Sequence, residues 1–256
     1  MKIRTAFCGL GAAMMMACSN PQTSTVEAWW LPDRDPSNNP VTLFGEVPES
    51  IIEELGIQDG IPASMSAYLV KVDGMPILFD TGFGNRLADN LAEQGVAASE
   101  LDLIYLTHLH GDHIGGLMKP DAFPKATIYI SRPEYEAWKN MESGNAQQLQ
   151  LFEMYADRIQ LFEFGDVLPG GVVAFDAKGH TPGHTVFEVG QYLIVGDLMH
   201  GAALQMAYPE YCASFDMNHE DAIASRIKYI QYAKEKGLTL AGMHMPGFVE
   251  AEQDLN

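Results

Sequence analysis

The chain has 256 residues, 47% hydrophobic and 19% charged. That is enough apolar material for one sizeable core, and the composition is not that of a disordered chain. Acids outnumber bases 34 to 15, for a formal net charge of −19. No Lys/Arg cluster is present to displace counterions, which excludes a nucleic-acid partner from the expectations and leaves a small-molecule substrate.

Lys2 and Arg4 precede an uncharged apolar run, Ala6 to Ala17. It falls short of the ~20 residues that a bilayer span requires and reads as a secretion signal over residues 1–17. Ala17-Cys18-Ser19 resembles the cleavage box of bacterial lipoproteins, with Cys18 as the lipid-anchored residue, although Met stands at −3 where Leu is usual. Ordinary cleavage near Ala17 is the competing reading. Either way the protein is expected to be exported, in the periplasm or on a membrane of a bacterial envelope. Cys8 and Cys18 lie in this region and leave Cys212 alone in the folded body, so no internal disulfide is expected. Residues 18–40, rich in Ser, Thr, Asn, Pro and Asp, read as a tether or extended arm, and 41–256 as the folded domain.

Short apolar runs predict strands at Ser66–Val72, Pro76–Phe79, Leu101–Leu106, Ala126–Ile130, Val172–Phe175, Thr185–Val189 and Tyr192–Val195. Asp73-Gly74 signals a hairpin, and Gly190-Gln191 plays a similar part. Between them, Ser131-Arg132-Pro133-Glu134 has the form of a capping box. Ala146 to Ile159 has a helical pattern. Asn218 caps a predicted helix through Lys236, with Ile223, Ile227 and Ile230 on one face and Gly237 as the stop. The order predicts an α/β fold with two sheets covered by helices.

The densest chemistry is Thr107-His108-Leu109-His110-Gly111-Asp112-His113-Ile114-Gly115-Gly116, directly after the run Leu101–Leu106. Four side chains able to bind a metal fall within six positions, in a chain with eight histidines. His108 and His110 share a side of an extended segment, since the side-chain period there is two. The glycines permit the tight turns that would fold a loop around an ion. Imidazoles with one carboxylate suit zinc.

This pattern, His-x-His-x-Asp-His-x-Gly-Gly, resembles the signature of the metallo-β-lactamase superfamily. Phe79-Asp80-Thr81-Gly82, Gly179-His180-Thr181-Pro182-Gly183-His184-Thr185, Val195-Gly196-Asp197 and Gly242-Met243-His244 follow in the family's order. The resemblance implies an αββα sandwich of two mixed sheets flanked by helices. It implies two Zn2+ ions, with Fe or Mn as alternatives. One would be held by His108, His110 and His184, the other by Asp112, His113 and His244, with Asp197 bridging. His180 sits in the same turn as His184, and the family spacing favours His184. Asp80 would orient a ligand imidazole, and His200 would stand behind the ligands or line the pocket. A hydroxide bridging the two cations at neutral pH would then carry out hydrolysis, with Asp112 and Asp197 as the catalytic carboxylates.

Departures narrow the reaction. Many β-lactamases of this superfamily place a Cys where this chain has Asp197. Hydroxyacylglutathione hydrolases add a C-terminal domain, and the sequence after His244 leaves no expected room for one. Gly196–Gln205 and Gly242–Phe248 look closest to the branch of methyl parathion hydrolase and related lactonases. The expected substrate is a lactone, ester or phosphotriester. A β-lactamase, a thioester hydrolase, a mononuclear-iron oxidoreductase and a non-catalytic metal-binding lipoprotein remain as alternatives. Trp29, Trp30, Leu31, Phe44, Leu117, Met199, Met206 and Tyr208 are candidates for an apolar pocket wall.

Overall fold

Ser66–Val72 is apolar at almost every position rather than at alternate ones, as a strand covered on both faces must be. Tyr68, Val70 and Val72 face one cluster of buried residues, while Ala67 and Leu69 face another. The computed structural model describes residues 24–119 and 121–251. The expected signal segment 1–17 and Cys18 lie outside the described residues. No helix among those described is long and apolar enough to cross a membrane.

Two six-stranded mixed sheets stack face to face. The first runs in the order Val26–Pro32, Ser66–Val72, Met75–Phe79, Leu103–Tyr105, Thr127–Ser131, Ile159–Phe162. Its first three strands pair antiparallel and the rest parallel. The second runs Val249–Glu250, Thr239–Gly242, Tyr192–Gly196, Thr185–Val189, Val172–Asp176, Val167–Leu168, with one parallel pair between Tyr192–Gly196 and Thr239–Gly242. Between the sheets lies an aromatic centre. Phe187 packs on Phe79 and Tyr105 at centroid distances of 5.5 and 5.8 Å. Helices Leu87–Glu93, Arg132–Lys139 and Ala146–Met154 cover the outer face of the first sheet, and His219–Lys236 that of the second. This is the expected helix–sheet–sheet–helix sandwich.

Asp73 and Gly74, with φ of 50° and 83°, make the two-residue turn that joins Ser66–Val72 to Met75–Phe79. Asn218 caps the long helix through the Asp221 amide, and Gly237 ends it in the left-handed region.

Four expectations are corrected. Residues 26–32 are not tether: Val26–Pro32 pairs antiparallel along all of Ser66–Val72, so the folded domain begins before residue 41. The helix from Ala146 stops at Met154, because Ile159–Phe162 is taken up as the parallel edge strand beside Thr127–Ser131. The buried stripe of the long helix is Ala222, Ser225, Arg226, Tyr229, Ile230 and Ala233, and Ile227 is 46% exposed. Arg226 displaces the isoleucine face because its guanidinium donates to the carbonyls of Leu198, Pro209 and Tyr211. The capping box is half formed: Ser131 Oγ accepts from the Glu134 amide, but the Glu134 carboxylate turns inward.

Replacing Phe187 by Ala should lower the stability of the fold by about 3–5 kcal/mol, the cost of emptying a filled aromatic site. Urea unfolding measures this, and a loss below 1 kcal/mol would show that the centre between the sheets is not closely packed.

Candidate metal centre

Two neighbouring strands of the first sheet, Met75–Phe79 and Leu103–Tyr105, are parallel, and so are Tyr192–Gly196 and Thr239–Gly242 in the second. Just past their carboxyl ends come Asp80, His108, Asp197 and His244. The chain stays extended through His110 and then turns into the short helix Gly111–Ile114, which presents Asp112 and His113.

Among the described residues three groups of side chains able to hold a cation form there; one is His180, His200 and Asp216, and the other two share Asp197. Of these two, the first is His108, His110, His180 and Asp197; the second is Asp112, His113, Asp197 and His244. In the first, His108 Nε2 lies 3.0 Å from His110 Nδ1 and 3.2 Å from His180 Nε2, and the last two are 2.8 Å apart. Tetrahedral zinc, with Zn–N of about 2.0–2.1 Å, holds imidazole nitrogens about 3.3 Å apart, close to this triangle. In the second, Asp197 Oδ1 is 3.0 Å from His113 Nε2, and Asp197 Oδ2 is 3.1 Å from His244 Nε2. Asp112 Oδ2 stands 3.4 Å from His244 Nε2.

The ring nitrogens that face away from the groups are tied down. His113 Nδ1 meets Asp80 Oδ2 at 2.7 Å, His180 Nδ1 meets Asp216 Oδ1 at 2.8 Å, and His244 Nδ1 meets the Ser64 carbonyl at 3.1 Å. Such partners fix the tautomer that leaves the other nitrogen free for a metal. His113 Nε2 and Asp197 Oδ1 are buried, 3.0 Å apart, and make no aligned hydrogen bond with each other or with any other group. Buried polar atoms without partners are costly, and here both point into the second group. The residues fit two divalent cations.

The charges are mutually arranged. Burial opposes the charge of Asp197, but His113 and His244, first among its neighbours, hold its carboxyl well below the usual range. Burial likewise opposes His244, and Asp197 and Asp112 outweigh it, raising the imidazole to about 10. Burial lowers His110 to about 4, with His180 adding to the shift.

His184 is where the structure departs from expectation. It joins neither group. Its Nε2 accepts from the Asp197 amide at 3.0 Å, and its Nδ1 lies 3.2 Å from the Ala177 carbonyl. With both nitrogens engaged by backbone it has no lone pair to offer. Its ring lies under Gly196, whose φ is 52° and where any Cβ would come within 2.6 Å of Nε2. The imidazole that reaches His108 and His110 is that of His180.

Asp80 is buried at φ 56°, a region that Asp tolerates better than most residues. Its carboxylate accepts from the Thr107 amide at 2.8 Å and hydroxyl at 2.7 Å as well as meeting His113. His200 Nε2 lies 3.1 Å from Asp197 Oδ2, and the ring stacks on His244 at 4.9 Å. Sequence reasoning missed three supports. Asp216 and Arg226, paired at 3.4 Å, stand behind His180. Glu134 lies beneath two loops. Only the Ser131-x-x-Glu134 spacing hinted at any of them.

The groups form the floor of a cavity of about 520 Å3. Its wall is Arg34, Asn39, Pro40, Leu43, Met65 and Phe215. None of the expected wall residues lines it. Leu31 and Leu117 are in the core under the first sheet, Met199 and Met206 pack under the second, Phe44 and Tyr208 belong to a satellite cluster, and Trp29 and Trp30, within Val26–Pro32, pack against the clusters on its two faces. Large apolar side chains near the motif in sequence were drawn into packing, and the wall was left to the 34–43 segment.

A family model of the metallo-beta-lactamase superfamily matches residues 61–244. The chain belongs to that superfamily. Among solved structures, AbOPH, a hydrolase in the beta-lactamase superfamily, superposes with a TM-score of 0.75 at 27% identity, covering 88% of this chain and 89% of that one. AidC, a dizinc quorum-quenching lactonase in complex with the product N-hexanoyl-L-homoserine, has a TM-score of 0.76 at 23% identity and shares the fold, over 88% and 93%. A hydroxyacylglutathione hydrolase of Xanthomonas axonopodis pv. citri is 29% identical over 143 residues, 54% of this chain and 51% of that protein. Ribonuclease Z of Borreliella burgdorferi is 30% identical over 98 residues, 36% and 30%. The chain spans about half or less of the length of these two curated relatives. The superfamily and its neighbours here are those of metal-dependent hydrolases. Cys212 takes no part in either group; its thiol faces the His219 carbonyl.

His180→Ala should lose one of two bound zinc equivalents, whereas His184→Ala should keep both and lose about 1–3 kcal/mol of stability, because the Asp197 amide is left without a partner. Zinc content by elemental analysis and thermal unfolding decide this, and the reverse pattern would restore His184 as the ligand.

Proposed function

We propose that the chain is a dinuclear metal-dependent hydrolase of lactones and related carboxylic esters, with neutral phosphotriesters as secondary substrates. The observation that carries the proposal is a floor with Asp197 between two groups, opening into one cavity where Pro40, Leu43, Met65 and Phe215 stand beside Arg34 and Asn39. Cations held there supply Lewis acidity and an activated water near neutral pH.

The chain's own residues do the rest. Asp197 sets Oδ1 against His113 of the second group and Oδ2 between His244 of the second and His180 of the first, at 3.1 and 3.3 Å, and His200 holds the Oδ2 edge in place. Pro40, Leu43, Met65 and Phe215 receive the apolar part of the substrate and keep water from it. Phe215, 46% exposed, sets its ring edge against His200 at 4.6 Å, so an acyl chain beside it runs directly to the floor. Support comes from AidC, a lactonase by its name, and from AbOPH, a hydrolase. The resemblance to ribonuclease Z weighs less, because a net charge of −19 repels a polyanion.

The test is a screen of zinc-loaded protein against N-acyl lactones, aryl esters, a neutral phosphotriester, a thioester and a β-lactam. Lactones and esters should turn over, and Asp112→Ala should lower kcat at least about a hundredfold, the scale for removing one charge-stabilising group. Turnover of the thioester or β-lactam alone would overturn the substrate assignment. Comparable turnover in Asp112→Ala would overturn the mechanism.

Phe215→Ala should raise KM for a hexanoyl substrate roughly threefold to tenfold with kcat nearly unchanged, as expected for loss of apolar contact made equally in the ground and transition states. An acetyl substrate should be unaffected, and equal effects on both would place the acyl chain elsewhere.

A further inference from the structure

We infer that Glu134 is a positioning residue dedicated to the first metal position, holding in one carboxylate both loops that carry its imidazoles. This rests on reading His108, His110 and His180 as ligands, not on the identity of the substrate.

Glu134 is 1% exposed and accepts four hydrogen bonds. Oε1 takes the Leu109 amide at 2.9 Å and the Trp138 indole N–H at 2.7 Å. Oε2 takes the Thr181 hydroxyl at 2.8 Å and the Gly183 amide at 2.9 Å. Leu109 lies between His108 and His110 in the chain, and Thr181 follows His180. The Trp138 ring lies edge-on to His110 at 5.6 Å, so the indole held by Glu134 also bears on the third imidazole. Three of the four partners can only donate, which a carboxylate satisfies and an amide side chain cannot.

The helix start is built around this contact. Ser131 Oγ donates to the Gly183 carbonyl at 2.7 Å, while Oε2 of Glu134 takes the amide of the same residue. A Cβ on Gly183 would overlap the Glu134 backbone, so glycine is needed for the loop to seat on the first turn of Arg132–Lys139. None of these contacts reaches Asp112, His113 or His244. Those depend instead on Asp80 and Ser64. Glu134 therefore serves the first position alone, together with Asp216 behind His180, whereas Asp80 meets His113 directly and reaches His108 only through the Thr107 hydroxyl.

The separation is testable by metal binding alone. In Glu134→Gln the side-chain NH2 faces the Gly183 or the Leu109 amide, donor against donor. Zinc titration of the metal-free full chain against a chelating competitor, with cobalt(II) spectra to identify the ligand set, should show the first position weakened ten- to a hundredfold. The second should keep its wild-type affinity, and the metal-free chain should still unfold in one transition, its midpoint lowered by a few degrees for the buried amide left facing a donor. Asp80→Asn should weaken the position that contains His113 more than the first, which it reaches only through Thr107. Thr181→Val removes one of the four bonds and should weaken the first position less than Glu134→Gln, which keeps the proposal testable if Glu134→Gln does not fold. Wild-type zinc affinity in these Glu134 and Thr181 variants would overturn the inference, as would equal loss at both positions. A wild-type chain that binds two zinc ions yet hydrolyses no ester would refute the proposed function and leave the Glu134 test intact.

Discussion

The rest of the site follows from burying Asp197. Its carboxylate is 2% exposed and lies 3.0 to 3.7 Å from nitrogens of His113, His244, His200, His180 and His108. A carboxylate at that depth must be met by positive charge or neutralised. Burial keeps His108 and His110 from carrying charge, so with no cation bound the balance falls to His113 and His244, and a bound cation would take over that role. Bringing five imidazoles to one carboxylate requires chain from both sheets, which explains why strand ends from each converge at the same edge.

Around that centre lies a shell of buried polar contacts. Asp80 joins His113 to Thr107, Asp216 joins His180 to Arg226, and Ser64 both receives His244 and donates to the Met245 carbonyl at 2.7 Å. Arg226 carries the arrangement further, since it also holds the carbonyls of Leu198, Pro209 and Tyr211 and so fixes the segment bearing His200. In a low-dielectric interior each such contact is strong when complete and costly when broken. The imidazoles are thus set before any ligand arrives, which is the condition for electrostatic preorganisation.

Legibility in the sequence tracked the range of the interaction. The 107–116 motif was readable because its ligands lie within six residues, and the cap at Asn218 and stop at Gly237 because caps are local. His180 and His184 were not separable, since both sit in one Gly- and Thr-rich turn. What divides them is the amide of Asp197 and the carbonyl of Ala177, both found only in the folded chain. Glu134 has the spacing of a local cap, whereas its four donors come from two other loops and its own helix. Val26–Pro32 was hidden by its polar neighbours, although Trp29, Trp30 and Leu31 were visible as apolar; its partner strand, forty residues on, decides its state.

That strand bears on specificity. Pro32 leads into Asp33, whose buried carboxylate accepts from the amides of Phe83 and Arg86 and from the Asn85 side chain. The anchor fixes the chain just before Arg34, and Asn39 Nδ2 donates to the His200 carbonyl at 2.8 Å a few residues later. The segment that composition marks as a tether is therefore held at two points and supplies most of the cavity wall. The floor is built from strand ends common to the sandwich, and the wall from a loop and an arm that can vary without disturbing it. A match to a ribonuclease Z and a hydroxyacylglutathione hydrolase over part of their length need not extend to the wall. Here that wall is mostly apolar, and the −19 surface disfavours anions approaching from outside. The four apolar side chains, Pro40, Leu43, Met65 and Phe215, lie beside Arg34 and Asn39, so the wall sets one cation within an acidic surface.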